Sequence, residues 1–292
     1  MTHAQLTILN CMAGEDFDAA LRQHVRWGLH WLDLKNAIFG KDIIDLTDAE
    51  ALRARDAIAA HGLEVWCLST SLFFEDIEQG QDAFTAKLGD KPARAAQLAE
   101  LLRARKVRLL AARSSRRAAV LDSIRHLDQN HPWLIPLYAR AVETIARSVA
   151  SVTIENEVHG CILGSVPEVL GFFERLKAAT NAPVSFTWDV QNFWQMGQFP
   201  TLAIYRALQP LMNYYHLKGG ICVRPLGELV YRSSLEDASW PVEDITRQVL
   251  RDGVSPVICL NPPHGATKDG YDYADLTRRD LDFLRRRFAE VQ

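Results

Sequence analysis

The sequence is poor in the features that would mark a secreted, membrane or nucleic-acid-binding chain. It has five cysteines in 292 residues, an odd number with no CxxC pair: Cys11, Cys67, Cys161, Cys222 and Cys259. That spacing offers neither a disulfide framework nor a cysteine metal knuckle. Four of the five stand in apolar or strand-like runs, as reduced buried thiols do, which points to a reducing, cytoplasmic compartment. No uninterrupted apolar run approaches the ~18 residues of a membrane span. The opening MTHAQLTILNC lacks a charged stretch followed by a long apolar one, so no secretory signal is expected. An excess of one charge is missing too: 33 basic residues face 36 acidic ones, a net charge of −3. Basic residues gather at Arg103, Arg105, Lys106 and Arg108, again at Arg113, Arg116 and Arg117, and at Arg285 to Arg287. The chain as a whole is not basic, so a nucleic-acid partner has little electrostatic support. The Arg113 to Arg117 group leaves room for an anionic small molecule. There is no GxGxxG after the first strand and no P-loop, which disfavours a dinucleotide or nucleoside-triphosphate domain.

What the chain does have is regular alternation. Strands are expected at Leu6–Cys11, Leu29–Leu34, Leu63–Leu68, Val107–Ala111, Val152–Glu155, Val184–Asp189, Tyr214–Lys218 and Val257–Asn261. Amphipathic stretches follow each in turn: Asp16–Trp27, a helix from Thr47 to His61, Ala83–Arg105, Leu134–Ala150, Val166–Ala178, Phe199–Leu208, Val242–Arg251 and Leu276–Val291. Thr47 with Glu50 forms a capping box, and Gly62 supplies the stop. Strands separated by helices pair in parallel, and nearly continuous apolar runs suit strands covered on both faces. Eight such units with no compositional break, and 48% hydrophobic residues to fill a core, predict an α/β fold: one (β/α)₈ TIM barrel over residues 1–292.

The polar residues have a position in this scheme. Asp33 and Lys35 end the second strand, Glu155 the fifth, Asp189 the sixth, His216 and Lys218 the seventh, and Asn261 the eighth. In barrel enzymes the C-terminal strand ends carry the chemistry. A carboxylate there is costly to desolvate unless it is paired or binds a cation. Glu155, Asp189 and His216 come from three consecutive strands. Two carboxylates, an imidazole and an amide oxygen from Asn261 suit a divalent metal such as Mn²⁺, Mg²⁺, Co²⁺ or Zn²⁺. The plainer alternative is a ring of salt bridges and hydrogen bonds at the barrel rim.

The segments IENE (Ile154 to Glu157), WDVQN (Trp188 to Asn192), HLKG (His216 to Gly219) and LNPPH (Leu260 to His264) resemble the xylose-isomerase-like barrel superfamily, the sugar phosphate isomerase/epimerase group. The likeness is strongest over residues 150–265; WLDLKN, HGLEVWCLSTS and the strand at Val107–Arg108 are compatible with it. It implies a divalent metal held by Glu, Asp, His and Glu from strands five to eight. Glu155, Asp189 and His216 match the first three, and the fourth falls on Asn261. An Asn is a weak ligand and no base. In epimerases of the group the first and fourth carboxylates exchange the substrate proton, so here only Glu155 remains of that pair. The resemblance therefore implies an isomerase that moves a proton through a metal-stabilised enediolate of a small sugar, polyol or sugar phosphate. Glu155 is expected as ligand and base, with Glu157, His159 and His264 as replacement bases. Lys218, Asn192, Asp33, Lys35, Glu157, His264 and Arg224 are the expected substrate contacts; aromatic rings near the strand ends ordinarily fill core and loop contacts, with Trp194 and Phe73 the candidates to line a pocket instead. A dehydratase or lyase uses the same polarised carbonyl, and a barrel with an altered fourth ligand also fits a non-catalytic ligand-binding subunit. Abasic-site endonucleases share the barrel, but this chain has few His at its other strand ends. Barrels of the group often pair, so a homodimer stays open, although no helix face here is apolar enough to mark an interface.

Overall fold

Along each central strand, alternate residues face opposite sides, and this chain gives the two sides different chemistry. A computed structural model describes residues 4–120, 122–148, 151–223, 228–262 and 265–291. The strands are β1 (Gln5–Ile8), β2 (Trp31–Leu34), β3 (Glu64–Ser69), β4 (Lys106–Leu110), β5 (Ser151–Glu155), β6 (Val184–Asp189), β7 (Met212–Leu217), β8 (Ile221–Val223), β9 (Glu228–Tyr231) and β10 (Val257–Leu260). Eight of them form one parallel sheet in the order β1-β10-β7-β6-β5-β4-β3-β2. An isolated parallel bridge, Leu9 to Asp33, and a 2.7 Å bond from the Thr7 hydroxyl to the Trp31 carbonyl bring β1 back to β2. The result is a nearly closed (β/α)₈ barrel in a single domain. The remaining pair, β8 and β9, is an antiparallel hairpin between β7 and β10.

The outward positions of the strands, among them Val107, Leu109, Val152, Ile154, Phe186, Trp188, Ile258 and Leu260, join a large core with helix residues such as Leu98, Val142 and Phe172. Each fully buried side chain of this kind contributes roughly 1.5–3 kcal/mol. The inward positions are split. Leu9, Cys67, Tyr214, Val257 and Cys259 make a small separate apolar cluster inside the barrel. The rest of the lumen is polar: Thr153 and Thr187 share a 2.7 Å hydroxyl contact, and Lys106, Arg108, Glu155, Asp189 and His216 are all buried.

The Thr47–Glu50 capping box forms as expected and starts the helix Asp48–Ala60. Several expected boundaries move for local reasons. The strand at Leu6–Cys11 stops at Ile8, because Asn10 turns away. Its side chain accepts from the Lys35 amide at 2.8 Å and donates to the Asn36 carbonyl at 2.7 Å. The long helix expected over Ala83–Arg105 is two helices, Gln81–Leu88 and Lys91–Leu102. Gly89 ends the first at φ 49°, and Pro92 sits in the first turn of the second. The helix expected from Leu134 stops at Ala146, and a further helix, Ser123–Asn130, precedes it; Val149 and Ala150 lie outside the described residues. Its cap is Asp122, which accepts from the Ile124 and Arg125 amides at 3.0 Å. The last helix ends at Arg287 rather than Val291. No described helix is long and apolar enough to cross a membrane.

Lys106 is the deepest cost in the lumen. It is 1% exposed, its ammonium donating to Asn213 Oδ1 at 2.9 Å and Ser151 Oγ at 3.2 Å. Burial pushes its pKa down to about 8. Below that pH the folded and unfolded chains are both protonated, and the folded chain bears the desolvation cost. Above it the folded state releases the proton first, so stability rises with pH until the ordinary lysine value of about 10.4. Urea midpoints between pH 8 and 10 should show this rise in the wild type and lose it in Lys106→Met. Equal slopes in the two proteins would remove Lys106 as the cause.

Candidate active site

Glu155 ends β5, Asp189 ends β6 and His216 is the penultimate residue of β7. Their register, with Asp189 opposite His216 and Glu155 opposite Thr187, brings all three to one level of the barrel. None is exposed to solvent. One ligand atom from each lies within 4.8 Å of the others. His216 Nδ1 stands 2.8 Å from Glu155 Oε1, yet the two are not aligned for a hydrogen bond, and both atoms lack a partner. His216 Nε2, 4.0 Å from Asp33 Oδ2, is also without a hydrogen bond, as is Asp33 Oδ1. Four orphaned polar atoms in one buried volume are far from the usual pattern of satisfied groups.

Cations and donors offset part of the burial cost. Arg108 donates through Nη1 to Glu155 Oε2, and through Nη2 to the Thr70 carbonyl at 2.9 Å. Lys218 sits 2.9 Å from Asp189 Oδ2 and donates to Asn192 Oδ1 at 2.8 Å. The Tyr214 hydroxyl donates to Asp33 Oδ2 at 2.7 Å. The compensation is uneven. Burial works against the Glu155 carboxylate, but His216, Arg108 and Lys218 outweigh it and hold the carboxyl below its ordinary range. At Asp189 burial prevails over Lys218, and the carboxyl is raised. Burial likewise raises Asp33, against the pull of His216 and Arg108.

Asn156 fixes Asp189 by its backbone: the side chain donates to the Asp189 carbonyl and accepts from the Asp189 amide, both at 2.9 Å. The Asp189 carboxylate in turn caps the helix Val190–Gln195, accepting from the Asn192 amide at 2.9 Å. Asn261 reaches the same corner, its Nδ2 donating to Asp189 Oδ2 at 3.3 Å. Exchange of its amide ends would aim the carbonyl oxygen there instead. The following Gly219 and Gly220 let the chain pass under the hairpin. A Cβ at Gly219 would collide with the Ser233 carbonyl, and Gly220 adopts φ 117°.

A cavity of about 250 Å³ lies above the buried cluster. Of the expected substrate contacts, Lys35, Glu157, Asn192 and Lys218 line it, with Asn261 and His159. Several expected residues stand away from the cavity wall. Glu155 does not line it: it is fully buried and gripped by Arg108. Asp33 lies inside the barrel on Tyr214 rather than on the wall. Trp194 and Phe73 are core residues, 0% and 1% exposed, Trp194 edge-on to Phe199 and Phe73 stacked 3.8 Å from Tyr138. Arg224 and His264 lie outside the described residues. Arg108, Asn156 and Gln191 escaped the sequence reading, although a charged residue between the apolar positions of VRLLA was a visible signal. A larger cavity, about 740 Å³, is at the opposite end of the barrel by His30, Arg55 and Glu64, and includes no member of the carboxylate–imidazole cluster.

No family model matches the chain, and no curated protein sequence matches it. Solved structures do. A xylose isomerase-like TIM barrel protein from Mycobacterium smegmatis, in complex with magnesium, aligns over 98% of this chain and 96% of its own, with TM-score 0.66 and 16% identity. The chain has the xylose-isomerase-like barrel fold. The 3-keto-D-glucoside 4-epimerase of E. coli aligns over 97% of this chain and 99% of its own at TM-score 0.71 and 12% identity. The D-psicose 3-epimerase of Clostridium cellulolyticum, solved with D-tagatose, aligns over 96% and 98% at TM-score 0.71 and 10% identity. At such identities the likeness extends to the fold alone.

Within this xylose-isomerase-like barrel Asn156 is the clamp on the cluster. Asn156→Ala strands the buried Asp189 N–H, costing about 1–3 kcal/mol, and leaves the Asp189 carbonyl only the bond of the helix it caps. Denaturant titration should register a loss of roughly 1–3 kcal/mol; a loss below about 0.5 kcal/mol would mean that Asp189 is held elsewhere.

Proposed function

We propose that this barrel is a divalent-metal-dependent isomerase that moves a proton next to the carbonyl of a small sugar, polyol or sugar phosphate. One observation carries the reading: the unpaired Glu155 Oε1 and His216 Nδ1 converge with Asp189 beneath a polar cavity of about 250 Å³. These donors fit a cation, because two buried ligand atoms stand 2.8 Å apart with no hydrogen bond joining them. Glu155, Asp189 and His216 would hold it, with Asn261 as a weaker fourth ligand. When bound there, a divalent cation polarises carbonyl and hydroxyl oxygens as a Lewis acid. The magnesium in the mycobacterial neighbour and the sugar substrates named for the epimerases support the same reading.

The chain's own residues divide the remaining work. Lys35, Lys218 and Arg108 present positive charge to the cavity and bind substrate oxygens, stabilising negative charge as it develops there. Glu157 is the proposed base. Unlike Glu155 it lines the cavity, and its Oε1 is oriented by Asn192 Nδ2 at 3.3 Å. One base carries a proton between adjacent carbons on one face of the substrate, which is isomerisation. Epimerisation needs a group on each face, and an Asn at the fourth corner is not a base. A dehydratase or lyase would use the same residues and differ in its products. Five free cysteines, four of them buried, support a cytoplasmic setting.

A second reading has its own support: Arg108 and Lys218 already neutralise Glu155 and Asp189, as in a barrel that binds a ligand without metal. Chelated protein separates the two. Mn²⁺ at a hundredfold excess over Kd should stabilise the fold by about 2.7 kcal/mol, a Tm rise of roughly 4–5 °C. Asp189→Asn should abolish the rise. No shift in the wild type would leave the metal-free reading. Once a substrate is found, Glu157→Gln should lower kcat by about 10²–10⁴-fold with Tm unchanged. Unaltered turnover would exclude Glu157 as the base.

A further inference from the structure

A second group of metal-ligating side chains meets away from this cavity. Glu78 is in the short turn Ile77–Gln79 after β3, His126 is on the helix Ser123–Asn130 after β4, and His131 follows that helix. His126 Nε2 lies 2.8 Å from Glu78 Oε1, and His131 Nε2 lies 3.4 Å from Glu78 Oε2. The two ring nitrogens are 3.2 Å apart. The side chains of Glu78, His126 and His131 are 15%, 10% and 9% exposed, enough for an ion to enter and too little for free hydration.

The three side chains already converge through hydrogen bonds, His126 Nε2 with Glu78 Oε1 at 2.8 Å and one ring nitrogen with the other at 3.2 Å. A divalent cation takes the place of those shared hydrogens on the same side chains. A tetrahedral Zn²⁺ with ligands at about 2.0–2.2 Å sets neighbouring donor atoms about 3.3 Å apart. The separations here, 2.8 Å from His126 to Glu78 Oε1, 3.4 Å from His131 to Glu78 Oε2 and 3.2 Å between the rings, lie close to that edge. The surroundings hold the ring in place: the Asn130 side-chain amide meets His126 Nδ1 at 3.1 Å and donates to the His126 carbonyl at 3.2 Å, with Nε2 turned toward Glu78.

We propose that Glu78, His126 and His131 form a second divalent-cation site, selective for zinc. Two imidazoles and one carboxylate are a borderline-soft set that favours Zn²⁺ over Mg²⁺ or Ca²⁺. The three ligands leave a fourth position for water. Bound zinc ties the turn after β3 to the helix after β4, and through Ser114 it braces the cavity wall. The Ser114 hydroxyl donates to Glu78 Oε1 at 2.5 Å, and the Ser114 amide donates to the Gly160 carbonyl at 2.9 Å. Gly160, at φ 88°, and His159, at φ 56°, form the left-handed turn that carries the loop of Glu157 back toward the core.

The test is a titration of chelated full-length protein with ZnCl₂ alone, read by calorimetry and by metal analysis after gel filtration. The double variant His126→Gln/His131→Gln, its fold checked by circular dichroism, should bind one zinc fewer per chain than the wild type. It should also lose part of the zinc-dependent rise in Tm. Equal stoichiometry in two folded proteins overturns the site. If the variant does not fold, anomalous diffraction from zinc-soaked wild-type crystals decides. A zinc peak among the three side chains is expected, and no peak there overturns the proposal.

Discussion

Three carboxylates and an imidazole stand without solvent at one end of a barrel, and the surrounding structure answers that desolvation. Breaking a buried pair by removing one partner typically costs about 3–5 kcal/mol. The structure places Arg108 on Glu155, Lys218 on Asp189 and Tyr214 on Asp33. These partners do more than offset charge. They occupy one oxygen of Glu155 and one of Asp33 and leave the other unpartnered, and Glu155 Oε1 faces the equally unpartnered His216 Nδ1. The carboxyl pKa values move in opposite directions, Glu155 below its ordinary range because His216, Arg108 and Lys218 outweigh burial, and Asp189 and Asp33 above theirs because burial prevails.

The rest of the fold makes this arrangement tolerable. The hydrophobic contribution lies between strands and helices, where Phe172, Trp188 and their neighbours are fully buried. The lumen keeps only a small apolar cluster and is free to hold ionisable groups. Stability and chemistry are thus assigned to opposite faces of the same strands. Backbone clamps such as Asn156 on Asp189 carry the precision of one face to the other.

The fourth corner separates this barrel from the pattern its sequence resembles. With Asn261 beside Asp189 and Glu155 sequestered by Arg108, the proposed proton chemistry falls to what faces the cavity. Glu157 and His159 are there because the chain turns sharply at His159 and Gly160 against the Ser114 loop. That loop also touches Glu78, so the wall of the cavity and the His126–His131 cluster share one support.

Strand–helix alternation, the eight-unit count and the polar residues at strand ends were legible in the sequence, because a strand buried on two faces must be apolar except where it ends. The convergence of Glu155, Asp189 and His216 followed from their positions on consecutive strands. The bend at Asn10 was less legible, since it depends on side chain to backbone bonds with Lys35 and Asn36, and the break at Gly89 is a single local turn inside an otherwise continuous helical pattern. Which carboxylate faces the cavity was not legible at all. Glu155 and Glu157 are two residues apart and chemically alike. Arg108, 47 positions from Glu155, claims the first and leaves the second to the cavity. The sequence by itself determined the barrel and its ring of ionisable residues, because periodicity is local. Only the tertiary structure decided their partners, because pairing energies depend on distances set by strand register and burial.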